Sequence, residues 1–92
     1  MEEGSVVMAR CPRGTVVQSV LVSRHFMGSA REAAAWVRKH KFRATKVDTT
    51  ENFHRFRQFD PSMFVPGTFR TIVLRTGVEA VIGCPRREIV GR

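Results

Sequence analysis

The chain has little from which catalysis, metal binding or membrane insertion could be built. Among its 92 residues there are only two cysteines, Cys11 and Cys84, and neither belongs to a CxxC pair. A zinc site would need two more ligands, and His25, His40 and His54 are too scattered to supply them. No metal site or cofactor is therefore expected. A disulfide would join the two flanks of the chain, but a reducing cytosol disfavours it, so both residues read as ordinary thiols. No uncharged apolar run of about 18 residues occurs, which excludes a membrane-spanning helix. The opening Met1-Glu2-Glu3-Gly4 lacks a basic-then-apolar leader. The expected location is thus intracellular. Neither a Gly-x-Ser-x-Gly elbow nor a phosphate-binding glycine run is present. There is no repeat or low-complexity tract.

What is abundant is positive charge. Sixteen lysines and arginines face eight acidic residues, giving +8, and thirteen of the sixteen are arginine. So basic a body concentrates anions around itself, and nucleic acid is the commonest cellular polyanion. Guanidinium groups also bind phosphate or carboxylate in two-pronged fashion. The same charge is equally explained by a solvated, soluble surface. With 42% apolar and 26% charged residues, the composition is that of a globular domain, not a disordered chain.

Residues 1–14 read as a loose lead-in, 15–84 as a single domain, and 85–92 as a basic tail. Residues 15–24, TVVQSVLVSR, suit a strand with Val16, Val20 and Val22 on one side. Ser29-Ala30-Arg31-Glu32 forms a capping box, opening a helix that runs to about His40. Ala30, Ala33, Trp36, Val37 and His40 share its apolar stripe, whereas Arg31, Arg38 and Lys39 lie on the other side. Residues 44–48 and 52–58 read as two further strands. In the latter, Phe53, Arg55, Arg57 and Phe59 alternate with His54, Phe56 and Gln58, and Phe56 marks the buried side. Phe69 to Leu74 and Val78 to Gly83 form a hairpin. A three-residue loop with Gly77 in the left-handed position would set Leu74 opposite Val78 and Ile72 opposite Ala80. The expected architecture is α+β, in two layers: one helix packed on a mainly antiparallel sheet of three to four strands, in the order β-α-β-β-β.

Four stretches carry a resemblance: VVQSVLVSRHF, SAREAAAWVRKHKF, KVDTTENFHRFRQFDPSMF and FRTIVLRTGVEAVIG. They resemble a small virus-associated family, mainly of tailed phages and prophages, with the pattern KVDxTxNxxRFRQxxPxxF…RT…GVxAVIG. The likeness covers roughly residues 16–84 and is most specific from Asn52 to Phe64. Two departures stand out: Lys41 occupies the place after the helix-ending His where glycine is expected, so that cap should close differently, and Ser23-Arg24-His25 stands where a polar charged stretch is expected after the first strand. The resemblance implies a viral module of unknown biochemical role, acting in the host cytoplasm or the virion. It transfers no catalytic residue.

Arg55, Arg57 and Arg70 are the leading binding candidates, with Gln58, Lys46 and the helix residues Arg31, Arg38 and Lys39. Arg55 and Arg57 would stand about 6.5–7 Å apart on one strand face, near the spacing of successive phosphates. Phe53 and Phe59 on that face either stack on bases or belong to the core. The arginines either stay free or pair with Asp48, Glu51, Asp60 or Glu79. A non-catalytic module contacting nucleic acid is the leading expectation. The alternative is a viral protein-interaction module meeting an acidic surface: a virion or assembly component, or an inhibitor of a host or defence protein. A hydrolase around His54 with Asp48 or Glu51 has the weakest motif support, and no enzyme is expected.

Overall fold

The computed structural model describes Cys11 and residues 14–86. Its elements run β1 (Val16–Ser23), α1 (Ala30–Lys39), β2 (Val47–Thr49), β3 (Phe53–Arg57), a 3-10 turn (Pro61–Met63), β4 (Arg70–Arg75) and β5 (Val78–Gly83). The fold is α+β, as expected. Among the described residues the sheet has five strands instead of three or four, all paired antiparallel in the order β2-β3-β1-β5-β4.

The helix starts where the capping box places it, with the Ser29 hydroxyl accepting from the Glu32 N–H at 3.0 Å. Ala33 and Val37 are buried against Val20, Val22, Phe56 and Val78, with Met27 closing the cluster. Each strand alternates faces, so cross-strand partners share a side. The row Val47, Phe56, Val20, Ala80 and Ile72 therefore lies on the helix side. Its three middle members are fully buried, and its two ends are exposed. A helix about 10 Å wide spans roughly two strands spaced near 4.8 Å, which leaves both margins of a five-stranded sheet bare.

The helix end differs from expectation. Lys41 adopts φ 72°, the left-handed conformation that glycine usually supplies. Its N–H bonds the Arg38 carbonyl at 3.0 Å, and the Phe42 N–H bonds that of Val37 at 3.0 Å. This is the ordinary Schellman closure. The cap does not close differently; lysine simply bears the conformational strain.

Two bulges alter the expected registers. In β1 the pairing with β5 shifts between Val17 and Ser19. Val17 consequently packs against the helix-side core in the place expected for Val16, which pairs with Gly83 instead. The extra residue is Gln18, whose carbonyl accepts from both Gln58 and Phe59 N–H groups. In the hairpin, Ile72 does oppose Ala80, but Arg75, not Leu74, opposes Val78. A bulge absorbs Leu74, and Gly77 takes φ 83° in the turn. Phe26 leaves no room for a larger residue there, because a Cβ on Gly77 would stand 2.5 Å from the Phe26 ring.

The cysteines are not free thiols: Cys11 and Cys84 form a disulfide with 5.4 Å between their Cα atoms. The domain also reaches past residue 84, since Pro85 is buried and bridges Phe64, and Arg86 N–H bonds the Met63 carbonyl. Apart from Cys11 and Gly14, the expected lead-in falls outside the described residues, as does the rest of the tail, 87–92.

Candidate interaction surfaces

The expected binding residues do not converge. Arg55 and Arg57 lie on the face of β3 opposite the helix, across from Leu21 and Ser19. Arg57 is exposed and Arg55 half-buried, its Nε buried without a hydrogen-bond partner. The carboxyl of Asp60 is held below its ordinary pKa mainly by hydrogen bonding from Ser62, whose backbone N–H donates to Asp60 Oδ1 at 2.9 Å, and to a lesser degree by the charges of Arg57 and Lys46. Arg70 pairs with Ile82 and falls on the helix side, at the far edge of the sheet. Arg31, Arg38 and Lys39 are exposed on α1. The set is thus spread over three surfaces.

On the helix-free face, acidic and basic residues alternate. Asp48, Arg55, Leu21, Glu79 and Val73 form one cross-sheet row. Among the described residues, no ion pair engages Arg55, Arg57 or Arg70. Of the two phenylalanines considered for base stacking, Phe53 is half-buried, whereas Phe59 is buried beneath the Arg43 guanidinium, 5.0 Å from its ring centre.

Gln58 is not available as a contact residue. It is only 4% exposed, and its side chain accepts from the Arg43 N–H and donates to the Arg43 and Phe56 carbonyls. His54 is similarly committed, at 2% exposure. Its Nδ1 meets the Thr49 hydroxyl at 3.0 Å and its Nε2 the Gly28 carbonyl at 3.2 Å. A carbonyl can only accept, so Nε2 carries a proton in this contact. Asp48, expected beside it, faces the opposite side of the sheet across from Arg55. An open cleft of about 600 Å³ lies nearby, between the β1–α1 loop and the β2–β3 turn, lined by Arg24, His25, Glu51 and Phe53 among others. Arg24 spans it structurally, donating to the Thr50 carbonyl at 2.8 Å.

The surface that the sequence reading missed is β4. All six of its residues are exposed, including Ile72 and Leu74, which the expected hairpin register sets opposite Ala80 and Val78. Val73 is 70% exposed. Among the described residues the strand is the edge of the sheet, with no strand paired on its outer side. The opposite edge, β2, is only three residues long and carries Asp48. Short charged edges resist further pairing, whereas β4 is six residues long and carries the apolar run Ile72-Val73-Leu74 inside its terminal arginines. Beside it, Phe26 is exposed on Gly77, with the Arg75 guanidinium 5.3 Å from its ring centre. The RTIVLR pattern, apolar residues bracketed by arginine, was the available signal.

No known protein family, curated protein or solved structure matches the chain.

Proposed function

We propose that the chain is a non-catalytic binding module that docks a protein by adding a strand to β4. The observation behind this reading is a six-residue edge strand, exposed along its whole length, with Ile72, Val73 and Leu74 in its middle. An extended partner segment gains main-chain hydrogen bonds along such an edge and covers alternate apolar side chains. Any setting among virion, assembly, host or defence proteins rests on the viral resemblance alone.

The test is selection of extended peptides from a random display library, followed by counter-screening against Ile72→Lys/Val73→Lys. Both positions are exposed, and unchanged far-UV dichroism and melting would show that the double variant is folded. The reading predicts binders rich in β-branched residues that lose affinity for the variant. Binders indifferent to the two lysines would reject it.

A second reading, contact with nucleic acid, is favoured by the +8 charge and by Lys46 and Arg57, which flank the paired Val47 and Phe56 at one end of β2 and β3. It predicts oligonucleotide binding at about 50 mM salt, with log affinity falling linearly in log salt and weakened by Lys46→Glu/Arg57→Glu. No binding under those conditions removes it.

A further inference from the structure

Resting on the reading of β4 as the docking edge, we infer that its occupant is an acidic segment of another protein. That segment carries carboxylates at positions i and i+4, with an apolar residue midway at i+2. The spacing follows from the bulge. Arg70 opposes Ile82 and Arg75 opposes Val78 across the existing pairing with β5. Two arginines an odd number of residues apart are thereby brought to the same side of the sheet. The positions they oppose on β5 are four apart, with Ala80 between them opposite Ile72. A strand laid on the outer edge of β4 and following the same bulge meets the same arrangement. Two of its side chains on one face then fall beside Arg70 and Arg75, and the one between covers Ile72.

The chemistry selects the occupant. Neither arginine is engaged by a carboxylate among the described residues, and β4 contains no acidic residue to balance them. A second copy of the chain would bring the same uncompensated Arg70 and Arg75, on a body that also carries +8. Like charges placed across a strand pair oppose pairing. A nucleic-acid backbone offers phosphate to the arginines but no alternating N–H and C=O groups for the strand edge. Only an extended acidic polypeptide supplies both.

The experiment is an NMR titration of the whole chain at low salt with three blocked peptides, TETITET, TQTITQT and TKTITKT. Amide exchange of residues 70–75 and affinity are the readouts. We expect TETITET to slow exchange along β4 and to bind at least about tenfold more tightly than TKTITKT, the scale of two exposed charge pairs and their reversal. In Arg70→Glu/Arg75→Glu the order should invert, with TKTITKT the tighter ligand. Unchanged far-UV dichroism and melting would show that this variant is folded. Equal slowing by all three peptides overturns the acidic occupant and leaves the edge reading standing. Failure of every peptide to slow β4 exchange overturns both. Protection of β4 without peptide, together with dimers in sedimentation, assigns the edge to a second copy and overturns the inference.

Discussion

The side-chain amide of Gln58 bonds both backbone groups of Arg43, accepting from its N–H at 2.8 Å and donating to its carbonyl at 2.9 Å. In this way a glutamine at the end of β3 stands in for a missing strand pair and holds the chain leaving α1. Arg43 answers by donating to the Gln58 carbonyl at 3.0 Å and covering Phe59.

Gln58→Ala should therefore destabilise the fold by about 2–3 kcal/mol, the scale of several lost hydrogen bonds around a buried amide. Urea denaturation measures this. Binding at β4, across the sheet, should be unchanged. A loss below about 0.5 kcal/mol would mean that water replaces the amide without cost.

Lys41→Gly should stabilise the protein by about 0.5–1 kcal/mol. Relief of left-handed strain outweighs the greater backbone entropy glycine loses on folding. Lys41→Val should do the opposite, because a β-branched side chain tolerates that conformation least. Equilibrium unfolding of the three proteins should rank glycine above lysine above valine.

Reduction of the Cys11–Cys84 bond, which spans 73 residues, should cost about 4 kcal/mol on a loop-closure argument. The comparison is between oxidised protein and Cys11→Ser/Cys84→Ser, by thermal and urea melts. Equal midpoints would show that the bond constrains nothing in the unfolded chain.

Asp60 titrates below its ordinary 3.8, mainly because Ser62 hydrogen-bonds its charged form. A carboxyl depressed in the folded state adds stability above the unfolded value, and this is lost as pH falls through the folded value. Asp60→Asn should be less stable than the parent at neutral pH, and the gap should close as pH falls below 3.8. A gap of constant size in unfolding experiments across that range would assign the effect to shape instead of charge.

Local chemistry in the sequence was enough to place α1, the buried Phe56 and the positive φ of Gly77. The capping box, the alternation on β3 and the glycine turn each act over a few residues. The bulges at Gln18 and Leu74 depend on partners far along the chain, so the pattern alone misplaced Val16 and Leu74. Gln58 reads as a contact residue and His54 as a candidate base, yet their partners are backbone groups or a hydroxyl that periodicity does not reveal. The arginines were legible as charge but not as three separate surfaces. That division depends on strand order. The bare margin at β4 follows from one short helix facing five strands, a mismatch visible only once the strands are counted.

The strand order also sets a timetable. β1 occupies the middle of the sheet, yet both of its neighbours, β3 and β5, lie beyond the helix in sequence. Among the described strands β1 is made first, and it must wait for Phe53–Arg57 and then Val78–Gly83 before both flanks are satisfied. Such distant pairing slows folding relative to local hairpins. A nascent chain halted before Val78 would leave one side of β1 open, so the last strand of the hairpin is the element whose arrival commits the whole domain.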